Sequence, residues 1–310
     1  MKIVMLDALT LGEFDSRLFS ALGEFESYLT TPKEAVLERC KDADIVITNK
    51  VVLDSKTIES LDKLKLICIA ATGMNNIDLE AAKKRNIPVK NVAGYSTKAV
   101  AQHTLMLALA FLGKLTYYSD YVARGEWVKS EIFCHLPHPI IDLHDREWGI
   151  IGLGQIGKQV ASLASAFGAK VSYHSTSGKN TEAGLPHLGL DSLLEKSDII
   201  SIHAPLNEKT KDLIKQKELE RLKPGAILLN LGRGGIVNEN DLAACLSKRD
   251  FYFGGDVLEA EPMKENHPLL DPAIASKILI TPHIAWAYRD TKERLLSMVV
   301  GNIKAFLESK

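Results

Sequence analysis

Short apolar runs rich in β-branched residues alternate with stretches of helical spacing along the whole chain. "KIVML", "DIVITN", "KLICIA" and "IPVKNV" come first; "WGIIG", "KVSYH", "DIISIHA", "AILLNL", "YFGGDV" and "KILITP" follow. Runs without a polar alternation read as strands buried on both faces, and the charged helical stretches between them supply the covering layers. Each series therefore predicts a parallel sheet wrapped by helices. Six strands alternating with helices make the second series a doubly wound α/β domain.

Two longer helical patterns flank that second series. "STKAVAQHTLMLALAFLGKL" begins at a good cap, Ser96 or Thr97, and "RDTKERLLSMVVGNIKAFLESK" closes the chain. Such helices would carry the chain from a first domain into a second and back again. We expect a discontinuous first domain of residues 1–97 plus 287–310 and a second domain of residues 98–286. Arg124 to Leu143 fits neither pattern. Its aromatics and prolines make it too apolar for a solvated linker, so it is expected to pack on a domain or subunit partner.

Composition narrows the setting. The 310 residues carry 38 basic and 39 acidic side chains, and 46% are hydrophobic. That content fills two cores, and a net charge of −1 provides no field for nucleic acid or an anionic membrane. Cys40, Cys68, Cys134 and Cys245 are scattered and read as reduced thiols, with no metal-ligand spacing. The start "MKIVMLDALT" lacks a signal-peptide apolar region, and the longest apolar run, "TLMLALAFLG", is half a membrane span. The expectation is a soluble, cytoplasmic protein.

"GLGQIG" at Gly152 to Gly157 follows the strand "WGIIG" and opens the helix "QIGKQVASLASAF". In that context Gly152 permits the tight turn, Gly154 lets a pyrophosphate approach the backbone, and Gly157 lets helix and strand pack closely. This is a dinucleotide site. An acidic residue about 20 positions on usually grips the adenosine ribose. Here no Asp or Glu occurs between Gly157 and Glu182; Ser175, Thr176, Ser177 and Lys179 stand instead. The device that excludes a 2′-phosphate is missing, so NAD(H) and NADP(H) are both expected to work. The blander alternative is that the hydroxyls simply hold the ribose of NAD(H).

Charged groups then cluster where strands end. "NLGRGGIVNE" places Arg233 in a glycine-lined turn after "AILLNL", where open α/β sheets bind ligands, and its planar fork suits a carboxylate. A structural arginine capping carbonyls is the alternative. "TPHIAW" puts His283 after a strand, behind Pro282 and beside Trp286. A carboxylate among Asp256, Glu259 and Glu261 could pair with it, fix its tautomer and favour the imidazolium. Among nine histidines, His203 in "SIHAPLN" also ends a strand, close to the dinucleotide; His135, His138 and His144 read as structural. Arginine, acid-paired histidine and a nicotinamide site together suggest hydride transfer to a 2-oxo acid.

"GLGQIG", "HAPLNEKT", "NLGRGGIVNE", "GGDVLEAEP" and "TPHIAW", in this order, resemble the D-2-hydroxyacid dehydrogenases over nearly the whole chain. The resemblance implies a flavodoxin-like substrate domain and a Rossmann dinucleotide-binding domain. It implies Arg233 as the substrate arginine, His283 as the acid/base, Glu261 as its partner and Asp256 against the nicotinamide carboxamide. "ATGMNNIDLEAA" resembles the loop whose amides, at Gly73 and Met74, receive the substrate carboxylate. Trp286 would bound the substrate. Further dinucleotide contacts are expected at Gln155, Ile156, Pro205, Thr210, Leu231, Gly232 and Thr104.

"YSTKAVAQHT" and "TPHIAWA" are most similar to the hydroxypyruvate reductase (glycerate dehydrogenase) group. This implies a small 2-oxo acid, hydroxypyruvate or glyoxylate, as substrate; no metal is expected. "GEWVKSEIFCHLPHPIIDL" resembles that group's dimer-forming arm and implies a homodimer. The alternatives are a dehydrogenase for another 2-hydroxy acid, such as D-lactate or 3-phosphoglycerate, and a dinucleotide-sensing corepressor of the same fold.

Overall fold

The computed structural model describes residues 1–179 and 184–309. The chain divides into two compact units, Met1–Ser96 with Trp286–Lys310, and Thr97–Ala285. Each contains one sheet, and every strand pairing in both sheets is parallel.

In the first unit the strands are β1 (Lys2–Met5), β2 (Glu24–Ser27), β3 (Ile45–Thr48), β4 (Leu66–Ile69) and β5 (Val89–Lys90), in the order β2-β1-β3-β4-β5. This is the flavodoxin-like order. Successive side chains serve opposite faces. Ile3 and Met5 pack with Phe19 and with Leu295, Val299 and Ile303 of the helix Arg289–Glu308, whereas Val4 and Leu6 pack with Val36, Leu53 and Ile58.

The apolar-run pattern missed β2. Its sequence, Glu24-Phe25-Glu26-Ser27, alternates charge with an aromatic because it pairs only with β1 at the sheet edge and is half-exposed. Beyond β1, the buried Asp7 carboxylate accepts the backbone N–H groups of Asn49, Lys50 and Val51, which ties the β3 exit loop to the end of β1.

The second unit holds β6 (Glu147–Ile151), β7 (Lys170–His174), β8 (Ile199–Ile202), β9 (Ala226–Asn230), β10 (Phe251–Gly255) and β11 (Ile278–Ile280), ordered β11-β10-β9-β8-β6-β7. From β6 the chain runs to β7 on one side and returns to β8 on the other. The crevice beyond the carboxyl ends of β6 and β8 is therefore the topological switch point, where such sheets bind ligands. The helices Thr97–Leu112 and Gln155–Ala166 cover one face through Leu105, Ala108, Phe111, Val160 and Ala164, packed on Trp148 and Ile150. Ile151, Ile200 and Ile202 serve the opposite face. The Trp148 indole N–H donates to the buried Ser201 hydroxyl at 2.9 Å.

The helical pattern beginning at Ser96 does not run through to Leu115 as one helix. It stops at Leu112; Lys114 turns left-handed (φ 49°), and a second helix spans Leu115–Ala123. Gly113 explains the break, since glycine is a poor helix interior residue. Among the described residues no single helix is long and apolar enough to cross a membrane. The bent pair on either side of Gly113 passes that test only jointly, with a 63° bend. The Arg124–Leu143 stretch contains one 3₁₀ turn, Glu126–Lys129, and leaves Val128, Phe133 and Leu136 at 90%, 89% and 72% exposure. His135 is not idle there: its ring stacks on Tyr121 at 3.9 Å and meets the Tyr117 hydroxyl at 3.0 Å.

All four cysteines are unpaired. Burial pushes the Cys40 and Cys68 thiols up to about 12, which makes them inert packing groups.

Candidate active site

β6 ends in the glycine turn. Gly152 has φ 94°, and a Cβ there would lie 2.8 Å from the Ala204 backbone N. Only glycine satisfies both the left-handed backbone and the approach of the β8 exit loop. Gly157 is pressed onto the Gly152 carbonyl, which lets the helix Gln155–Ala166 start close against the strand. Gly154 caps that helix, and a Cβ on it would meet nothing within 4 Å, so the backbone faces an open cradle.

The cradle is part of a pocket of about 510 Å³. Gly152 and Gly154 form its floor with Leu153. Ser175, Thr176, Ser177 and Lys179, beyond β7, form one wall, and His203, Pro205, Asn207, Glu208 and Lys209, beyond β8, form the other. The switch point thus gathers Gly152, Gly154, Ser175, Thr176, Ser177, His203 and Pro205 among the dinucleotide residues expected from sequence. Asn207, Glu208 and Lys209 are additions. Their stretch, "HAPLNEKT", is a motif of the sequence, but no sequence pattern says that it faces the Ser175 loop across the crevice. Glu182, the first acidic residue after Gly157, lies outside the described residues.

Other expected contacts do not line this pocket. Thr104 is fully buried, with its hydroxyl donated to Val100 O of its own helix. Thr210 is also buried and organises the β8 exit loop, donating to Pro205 O at 2.6 Å and accepting from Asn207 N at 2.8 Å. Gln155, Ile156 and Gly157 belong to the helix start; Leu231 and Gly232 belong to the turn after β9.

Two groups on the pocket wall are polar, sealed from solvent and without partners among the described residues: the Ser175 hydroxyl and both ring nitrogens of His203. Buried polar atoms cost free energy unless they are hydrogen-bonded. Hydroxyls and phosphates of a dinucleotide in the glycine cradle are suitable partners, so these residues fit that group. Parts of His203 remain accessible, but its nitrogens are sealed, and burial pushes its ionisation down to about 3 from the usual 6.5.

His203 therefore stays neutral in the fold and charges on unfolding. Such a group costs nothing above about pH 6.5, and its cost grows as pH falls toward 3, at roughly 1.4 kcal/mol per pH unit. In denaturant titrations from about pH 7 to about pH 4, the stability of the wild type relative to His203→Asn should fall by about 1 kcal/mol or more per unit below pH 6. A pH-independent difference would show that His203 takes up a proton in the folded protein.

The candidate acid/base residues lie at the ends of β9, β10 and β11. Asn230, the last residue of β9 and 2% exposed, pins the next turn: its side chain donates to Arg233 O at 2.9 Å and accepts from Gly232 N at 3.1 Å. Sequence reading passed over this residue. Arg233 is exposed, with one guanidinium bond to its neighbour Gly232 O at 2.8 Å. No described carboxylate lies within ion-pairing distance of it, so most of its fork faces outward. Gly234 presses against the β10 exit, where a Cβ would sit 1.9 Å from Leu258 O.

Beyond β10, Glu261 accepts Leu258 N–H through Oε1 at 3.0 Å and meets His283 Nδ1 through Oε2 at 2.7 Å. The pair is partly exposed, 29% at His283 and 37% at Glu261. With Nδ1 engaged by the carboxylate, Nε2 is the position left to exchange a proton. Asp256, 3% exposed, accepts Ile284 N and Ala285 N at 2.8 Å each and the Thr281 hydroxyl at 2.6 Å. Gly73, Met74 and Trp286 belong to the first unit. Gly73 and Met74 lie in the loop after β4, and Trp286 packs edge-on against Tyr95 at 6.5 Å.

A glycine cradle at the switch point of a six-stranded parallel sheet, with an acid-paired histidine at a strand end of the same sheet, defines a nicotinamide dinucleotide-dependent oxidoreductase. Residues 105–285 match the NAD-binding domain of the D-isomer specific 2-hydroxyacid dehydrogenases, and the chain belongs to that family. It is 36% identical to a glycerate dehydrogenase of Methylorubrum extorquens, over 100% of this chain and 97% of the relative. A hydroxypyruvate reductase of Blautia hydrogenotrophica is 34% identical, with 99% and 97% covered. Among solved structures, an acyclic imino acid reductase in complex with NADPH and D-Arg superposes with a TM-score of 0.85 at 29% identity, covering 100% of this chain and 98% of that one. The protein is thus an oxidoreductase that reduces 2-oxo acids with a nicotinamide dinucleotide.

Proposed function

We propose that the substrate is a small 2-oxo acid, hydroxypyruvate first and glyoxylate second, reduced reversibly to the D-2-hydroxy acid. The observation that carries the mechanism is the 2.7 Å bond from His283 Nδ1 to Glu261. Glu261 holds the ring in the tautomer that presents Nε2, and stabilises it when charged. His283 delivers its Nε2 proton to the carbonyl oxygen as negative charge develops there. Arg233 grips the substrate carboxylate with its outward fork and polarises the carbonyl. The nicotinamide, when bound, supplies a hydride to the carbonyl carbon. Asp256 accepts a single bond on Oδ2, which leaves a lone pair suited to the carboxamide N–H.

The substrate reading draws on the two relatives named above. Its test is a panel of hydroxypyruvate, glyoxylate, pyruvate and 3-phosphohydroxypyruvate with NADH and NADPH. Hydroxypyruvate should give the highest kcat/KM. A higher value for the phosphorylated or a branched acid would overturn this reading.

We also propose that NADPH is accepted alongside NADH, because Ser175 stands where an acid would repel the 2′-phosphate. The exposed apolar arm residues Val128, Phe133 and Leu136 support a homodimer. Light scattering should then give about twice the 34.1 kDa chain mass, and a monomer at micromolar concentration would reject it. Four unpaired cysteines suit a reducing, cytoplasmic setting, and the near-balanced charge suits a small-molecule partner rather than nucleic acid or membrane.

A further inference from the structure

His103 is almost fully buried, 2% exposed, on the helix Thr97–Leu112, far in sequence from Asp256, Glu261 and His283. Its Nε2 lies 3.0 Å from the Thr281 hydroxyl, which in turn contacts Asp256 Oδ1 at 2.6 Å. The direction of these bonds follows from proton counting. The Asp256 carboxylate already takes two backbone N–H groups, so Thr281 donates its single proton to Asp256, at the short length of a charge-assisted bond. The Thr281 oxygen must then accept from His103. Hence His103 carries its proton on Nε2, and burial, which lowers its ionisation against the pull of Asp256, keeps the ring neutral.

The chain ends on the acid/base residue. His283 has φ 55°, a left-handed conformation disfavoured for any residue with a Cβ. Three anchors hold it there: His283 N donates to Thr281 O at 2.9 Å, and the next two amides, Ile284 N and Ala285 N, donate to Asp256. Asp256 can hold both amides in place only if it is itself held; among the described residues Thr281 donates the side-chain hydrogen bond to it, and His103 Nε2 stands 3.9 Å from the same Oδ1. We propose that His103 and Thr281 are positioning residues for the reaction: the buried chain His103–Thr281–Asp256 locks the left-handed turn that aims His283 at Glu261. The inference rests on the reading of His283 as proton donor.

The test is a double-mutant cycle with glyoxylate and NADH. Thr281→Val and His103→Leu should each lower kcat roughly five- to tenfold while leaving the NADH dissociation constant within about twofold. Thr281→Ser, which restores the hydroxyl, and His103→Gln, which restores a side-chain N–H, should bring kcat back to within about twofold of wild type. In a His283→Ala background the same substitutions should have no further effect, since nothing is left to aim. An equal loss in that background, or a loss that Ser and Gln fail to rescue, overturns the positioning role and leaves the proton-donor assignment intact. Wild-type turnover in His283→Ala itself defeats that assignment instead. Nitrogen-15 NMR of the wild-type protein provides a readout independent of folding defects. His103 should be neutral with its proton on Nε2 across neutral pH, and a proton on Nδ1 or a charged ring overturns the chain.

Discussion

His283→Ala should lower the turnover of 2-oxo acid reduction by roughly 10²–10⁴, the usual worth of a positioned general acid, with dinucleotide affinity little changed. The selectivity of the loss follows from placement. His283 and Glu261 stand at the exits of β11 and β10, whereas the glycine cradle and the Ser175 and His203 walls stand at the exits of β6, β7 and β8. Glu261→Gln removes the counter-charge 2.7 Å from Nδ1. The ring then loses the carboxylate that fixes its tautomer, so turnover of the variant should fall while dinucleotide affinity is little changed. Steady-state kinetics across pH, with NADH binding followed by fluorescence, measures both effects. Near-normal turnover of His283→Ala at every pH would rule it out as proton donor.

Ser175→Asp should depress kcat/KM for NADPH by about 10–100-fold while changing that for NADH by less than threefold. The magnitude reflects a carboxylate set against a phosphate a few ångströms away at a half-exposed site, worth about 1–3 kcal/mol. In the wild type the Ser175 hydroxyl is sealed at the pocket wall and has no partner among the described residues, while Lys179 and Lys209 bring positive charge from opposite sides and Glu208 opposes it. The proposed acceptance of a 2′-phosphate rests on this balance. The ratio of the two kcat/KM values, in wild type and variant, decides the matter. A wild type strongly specific for NADH, with a ratio unmoved by the substitution, would place discrimination elsewhere in the pocket.

The apolar runs of the sequence by themselves determined two parallel sheets, because a strand buried on both faces must be apolar along its whole length. "DIVITN" and "DIISIHA" could hardly be anything else. The same rule hid Glu24–Ser27, whose edge position relieves it of one buried neighbour. The helix break at Gly113 was also written locally, in a residue whose cost to a helix is intrinsic, although the long apolar pattern around it masked the signal.

Candidate chemistry was legible where local context carries it: glycines between strand and helix, or an arginine and a histidine just past a strand end. What only the tertiary structure decided is convergence. Lys209 and the Ser175 loop line one pocket because β8 lies on one side of β6 and β7 on the other, a consequence of strand order that no local pattern encodes. Thr104 and His103 are neighbours on one helix. Yet the Thr104 hydroxyl turns back to its own backbone while the His103 ring reaches Thr281, 178 residues on. A helix presents successive residues about 100° apart, so a polar side chain on it finds a partner or stays satisfied locally according to what packs against that direction. Hydrophobic periodicity is a property of short segments and survives in the sequence. The pairing of buried polar groups is a property of the assembled sheet and its covering helices.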